Sequence, residues 1–118
     1  MRIAVDVKGT LEGRRKQDIL AMIQVFRDAG HEVVIWSNSF SFAVNTVANN
    51  KLDLEPMSKR TKWDCEDNPE LYMDIAIDDD SSQTYLAARR FVWVHEIPED
   101  AIGFAKTLIG VQNGNNGA

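Results

Sequence analysis

Three places in this 118-residue chain put oxygen-bearing side chains directly after apolar runs. Asp6 follows Ile3-Ala4-Val5, Ser37 follows Val33-Val34-Ile35-Trp36, and Asp78-Asp79-Asp80 follows Ile75-Ala76-Ile77. A carboxylate at the end of a buried run is costly unless a cation or hydrogen-bond donors hold it. Three consecutive carboxylates also repel one another. Two readings of the acidic run are open. In one, Asp80 or Ser81 caps a following helix and the other carboxylates face water. In the other, Asp6 and Asp79 share a hard divalent cation, and oxygen-only ligands without a nearby His or Cys favour magnesium. Only the second also accounts for Asp6.

The residues around these positions suit an anion. Gly9-Thr10, just after Asp6, fits a tight turn whose backbone amides point inward at a phosphate. Ser37 and Asn38 offer a hydroxyl and an amide at a strand end, although a plain strand-to-helix loop would contain the same types. Lys59 and Lys62 stand on the loop before Asp78, either solvated or reaching the same edge. Lys8 stands two residues after Asp6. His31 and His95 have no paired nucleophile or ligand and read as structural or exposed. Trp36 and Trp93 read as core, and Cys65 lacks the basic surroundings of a nucleophile.

These residues can meet only if the elements bring them together. Residues 2–6 read as a strand. Ile19, Met22, Ile23 and Phe26 fall at helical spacing and predict a helix over 16–29 that stops at Gly30. Val33 to Trp36 gives a second strand, and Ser39 is placed to cap a helix with the stripe Phe40, Ala43, Val44 and Val47. A short strand is expected at Leu52–Glu55, another at Ile75–Ile77, a helix over 82–90 and a last strand in "FVWVHE". Pro98 at a first helical position, with Glu99 and Asp100 behind it, begins a closing helix. Alternating strands and helices, with strands apolar on both faces, predict a doubly wound parallel sheet covered by helices on each side. Ligands of such sheets bind beyond the carboxyl ends of the strands, where Asp6, Ser37 and Asp78-Asp79 all lie.

Composition limits the alternatives. One domain over residues 1–110 is expected, with a Gly/Asn-rich tail over 111–118 that has little to bury and reads as disordered. The formal net charge of −5 argues against a nucleic-acid backbone as partner. Arg14-Arg15-Lys16 and Lys59-Arg60-Lys62 are local basic clusters flanking the candidate loops. A lone cysteine suits a reducing cytoplasm, and no apolar run of membrane-spanning length is present, so neither export nor insertion is indicated.

Taken in order, "VDVKGTL" (5–11), "VVIWSNS" (33–39), the lysines at 59–62 and "IAIDDD" (75–80) resemble the four motifs of the haloacid dehalogenase superfamily, over residues 2–95. The resemblance implies a five-stranded sheet ordered 3-2-1-4-5. It implies that Asp6 is a nucleophile forming an aspartyl-phosphate and a magnesium ligand, with the main-chain carbonyl of Lys8 as a second ligand. Ser37 would hold the transferring phosphoryl group, and Lys62 or Lys59 would steady its charge. Asp79 would bind magnesium directly, with Asp78 behind it. No insertion is long enough for a separate cap domain. An uncapped site of this kind admits a large or small phosphorylated partner, or is closed by a second copy of the chain.

The chain departs from the family at Lys8, where the phosphatases carry a second aspartate that protonates the leaving group and then activates water. A protonated lysine cannot take a proton from water. The resemblance therefore implies a magnesium-dependent phosphatase or phosphotransferase of low or altered activity. The rival is a catalytically inactive member that binds a phosphate-bearing ligand or a protein. A response-regulator receiver shares the fold class but needs a phosphoacceptor on its third strand, and none stands around Leu52–Glu55.

Overall fold

The apolar run Ile3-Ala4-Val5 is fully buried because it lies on the central strand of a five-stranded sheet. The structure is a computed structural model that describes residues 1–110, so the predicted tail over 111–118 lies outside the described residues. Five strands, β1 (Arg2–Asp6), β2 (Glu32–Ser37), β3 (Glu55–Ser58), β4 (Met73–Asp78) and β5 (Ala88–Trp93), are joined with three helices, α1 (Lys16–Asp28), α2 (Phe40–Asn49) and α3 (Ala101–Leu108). The order is β3-β2-β1-β4-β5 and every pairing is parallel, as the doubly wound reading predicts. Right-handed crossovers run leftward from β1 to β2 and β3, then rightward to β4 and β5, so β1 and β4 meet at the switch point.

Alternation along the strands separates two apolar layers. Ile3, Val5, Val33, Ile35, Ile75 and Ile77 pack with Ile19, Met22, Ile23 and Phe26 of α1, Ala43 of α2 and Ala105 and Leu108 of α3. The stripe read from the sequence of α1 is the buried face of that helix. Ala4, Val34, Trp36 and Ala76 point the other way and pack with Met57, Met73, Leu86 and Ala88. That second layer contains no residue of an α-helix.

Several boundaries differ from expectation for physical reasons. The helix expected over 82–90 is absent. Leu86 instead forms an antiparallel bridge with Thr61, and Ala87 N–H donates to the Arg60 carbonyl, so two turn segments close the second face. The last strand accordingly begins at Ala88, and "VHE" turns away as a short 3-10 helix. Strand β3 lies three residues later than Leu52–Glu55, because Leu52 and Leu54 pack against the helical layer before the chain joins the sheet edge. In α2 only Ala43 and Val47 of the predicted stripe face the core, while Phe40 and Val44 are exposed and Thr46 is buried. Pro98 precedes α3 rather than opening it, and Asp100 is the cap, its carboxylate accepting from Gly103 N–H at 2.9 Å.

Candidate functional site

The register explains how two acidic residues come to lie side by side. Ala4 pairs with Ala76 and Val5 with Ile77, so the next residues, Asp6 and Asp78, project on the same face of adjacent strand ends. Both are buried. Lys59, just past the end of β3, reaches across to them. Its Nζ lies 2.9 Å from Asp6 Oδ1 and 2.8 Å from Asp78 Oδ2, with the Lys59 side chain 3% exposed. The third donor of the ammonium goes to Gln83 Oε1 at 2.8 Å. A lysine ammonium has three donors, and all three are used.

The remaining oxygens are also held. Thr10 Oγ1 donates to Asp6 Oδ2 at 3.1 Å, and Asp80 N–H donates to Asp78 Oδ1 at 3.0 Å. Asp79, by contrast, is exposed, and its carboxylate faces the cleft. One oxygen from each of Asp6, Asp78 and Asp79 lies within 4.8 Å of the others. An all-oxygen donor set of that span fits a hard divalent cation, with Asp79 its exposed member and Asp6 on the same cleft wall.

Burial raises the Asp6 pKa from 3.8 to about 6, and the neighbouring Asp78 charge adds to the rise against the opposing pull of Lys59. Burial alone would lower the Lys59 pKa, but its hydrogen bonds to Asp78 and Asp6 and their charges outweigh that and raise it. Three carboxylates around one ammonium leave a surplus of negative charge. A divalent cation would neutralise it.

Around this cluster lies a cleft of about 300 Å³ walled by Asp6, Lys8, Ser37, Asn38, Ser39, Phe42, Lys59, Asp79, Asp80 and Gln83. Ser37 is buried at its wall. Its Oγ accepts from Ser39 N–H at 3.1 Å and its carbonyl accepts from Lys59 N–H at 2.9 Å, which ties the lysine backbone to the serine strand. Ser39 occupies the N-cap of α2, but its side chain makes no cap bond and lines the cleft instead.

The structure brings Asp6, Lys8, Ser37, Asn38, Lys59 and Asp79 to one cleft and separates the others. Lys62 is exposed and lies outside the cleft wall, its N–H bound to the Tyr85 carbonyl, so Lys59 alone fills the place for which both lysines were candidates. The amides of Gly9 and Thr10 do not form an anion cradle. They donate to the carbonyls of Glu12 and Val7 within the turn. What Gly9 supplies is space and backbone freedom: it has φ +80°, and a Cβ there would collide with the Asp79 carboxylate. Thr10 acts through its hydroxyl on Asp6.

Gln83 is a site residue that sequence reasoning missed, because it fell inside the helix expected over 82–90. Phe42 was missed because α2 was read for its core stripe alone. His31 and Cys65 take no part in the site: His31 meets the chain's first amino group at 2.8 Å and Cys65 is buried. Among the described residues no helix is long and apolar enough to cross a membrane. In comparisons with known proteins, no family model, no curated protein and no solved structure matches this chain.

Proposed function

We propose that the chain is a magnesium-dependent phosphatase or phosphotransferase of the haloacid dehalogenase type, with Asp6 as the phosphoryl acceptor. One observation carries the reading: Asp6, Ser37, Lys59 and Asp79, from four separate strand ends, converge on a single cleft, with Asp78 buried behind them against Lys59. The same residues stand in the four motifs that the sequence resembles.

An oxygen of Asp6 attacks the phosphorus of a phosphomonoester, the bond to the ester oxygen breaks, and the departing alkoxide takes up a proton. Thr10 and Lys59 hold the Asp6 carboxylate in one orientation for that attack. Ser37 and Lys59 both line the cleft, and a phosphoryl group bound there would draw on the hydroxyl and on the ammonium charge. Asp6, Asp79 and the Lys8 carbonyl, with Asp78 behind them, would hold magnesium, which when bound would supply positive charge beside the phosphoryl oxygens.

Hydrolysis then requires a base that takes a proton from water, so that Asp6 and inorganic phosphate are released. Lys8 lines the cleft two residues after Asp6, and a lysine ammonium has no acceptor with which to take that proton. The acyl phosphate should therefore form faster than it breaks down. A second reading, a phosphate-binding module without turnover, draws on the same residue.

Acid-quenched mass spectrometry after incubation with an aryl phosphate and magnesium separates the two. The expected result is one added phosphoryl group, lost in Asp6→Asn. Lys8→Asp should then convert the trapped species into turnover, by up to the 10²–10⁴-fold that a positioned acid/base contributes. No adduct, and no turnover in Lys8→Asp, would leave only the binding module.

A further inference from the structure

The cleft at Asp6 does not end at Lys8 and Phe42. Both residues also line a groove of about 400 Å³ between the turn over residues 7–12 and α2, whose other walls include Lys16, Asn45, Thr46 and Asn49. Phe42, Asn45 and Asn49 follow one another at i, i+3 and i+7, so they share a stripe of α2. The helix "FSFAVNTVAN" carries no charged residue at all, unusual for a surface of which Phe42 is 54% exposed. The stripe thus presents an aromatic ring and two carboxamides to the groove. Among the described residues, neither the Asn45 nor the Asn49 side chain makes a hydrogen bond.

The opposite flank has a different character. A cleft of about 580 Å³ whose lining includes Arg14, Arg15, His95 and Asp79 would suit a second anion, and it shares Asp79 with the phosphoryl site. Asp79 and Asp80 also make the β4 side of the phosphoryl site acidic. On the other side the cleft shares Lys8 and Phe42 with the groove along α2.

We propose that the groove between the 7–12 turn and α2 receives the group that carries the phosphate, and that this group is a hydroxyl-bearing ring. Carboxamides both donate to and accept from hydroxyls, and the Phe42 ring offers a flat apolar face to a sugar or a nucleobase. The proposal rests on the phosphoryl-site reading above and names its substrate class. A sugar phosphate and a nucleoside monophosphate share this chemistry.

The test is calorimetric binding in magnesium of inorganic phosphate, glucose-6-phosphate, adenosine monophosphate and fructose-1,6-bisphosphate. It compares the wild-type chain, Asn45→Ala/Asn49→Ala and Phe42→Ala. These three side chains are exposed, so the variants should fold. At least one of the two monophosphates should bind at least tenfold more tightly than inorganic phosphate, and the tighter of them identifies the ring. Each lost carboxamide should weaken that ligand roughly five- to tenfold, and Phe42→Ala should weaken it as well. Inorganic phosphate should bind the wild-type chain and Asn45→Ala/Asn49→Ala equally. If inorganic phosphate binds but the monophosphates gain nothing, or the variants lose nothing, the groove proposal fails alone. A preference for the bisphosphate would move the substrate to the Arg14 and His95 cleft and overturn it too. If inorganic phosphate does not bind, the phosphoryl-site reading fails and takes this proposal with it.

Discussion

One face of the sheet is covered by α1, α2 and α3, the other by two turn segments bridged at Thr61 and Leu86. The helical face is built from large branched and aromatic side chains, among them Ile19, Ile23 and Phe26, which lock into the odd-numbered positions of β1. The opposite face uses small residues, Ala4, Ala76 and Ala88, beneath Trp36 and two methionines. Asp6 and Asp78 project on this second face, and Lys59 and Gln83 reach them from the segments that close it. A helix would have spent its backbone and one side-chain stripe on packing. The turns instead leave Lys59, Asp80 and Gln83 to meet the strand ends. The helical face carries the large apolar side chains, and the other face carries the Asp6, Asp78 and Lys59 cluster.

The largest effects should come from breaking the helical face. Phe26→Ala should cost about 3–5 kcal/mol and Ile23→Ala about 2–5 kcal/mol, since each empties a site in a packed layer. Urea denaturation measures both. Costs below about 1 kcal/mol would mean that α1 does not anchor the sheet.

On the other face, Lys59→Met should cost somewhat less than the 3–5 kcal/mol typical of stripping one partner from a buried ion pair. The raised pKa of Asp6 lets it take up a proton and recover part of the loss. The variant's stability should therefore improve on mild acidification. An unchanged stability at neutral pH would show that the lysine is not needed between the two carboxylates.

The contribution of Asp6 in the metal-free protein has a defined sign. Its folded pKa of about 6 lies above the ordinary 3.8, so between these values the folded chain keeps a proton that the unfolded chain has released. Stability from this group falls as pH rises from about 4 to about 6, by at most about 3 kcal/mol for two pKa units, and is flat outside that window. Urea midpoints across the window should show a slope that Asp6→Asn removes. Persistence of the slope in the variant would assign it to another group.

The smallest effect is expected at Lys62, an exposed residue of the same basic cluster as Lys59. Lys62→Ala should change stability by less than about 0.5 kcal/mol, with phosphoryl transfer unaltered. A loss of transfer would restore it as a candidate beside Lys59.

What could be read from the sequence divides along the same two faces. The strand runs and the α1 stripe obey simple periods because burial on the helical face depends on one residue in two or in 3.6. Asp6, Ser37 and Asp78 were legible as carboxyl-end residues from the apolar runs before them. The turn segments follow no period, and Leu86 with Ala87 and Ala88 reads as part of a helix until the partner strand of Thr61 is known. The choice between Lys59 and Lys62 depends on where β3 ends, and β3 lay three residues from its expected place. Gln83 was hidden by the helix expected over 82–90.

The claim on which the account depends is that Asp6 and Asp79 hold a divalent cation at the switch point of the sheet. Calorimetric titration of magnesium into the wild-type chain and into Asp79→Ala tests it without requiring turnover. Asp79 is exposed, so its removal should leave the fold intact. One magnesium site is expected in the wild type, with a loss of at least tenfold in affinity in Asp79→Ala. Equal affinity in the two proteins, or no binding by the wild type, would contradict it.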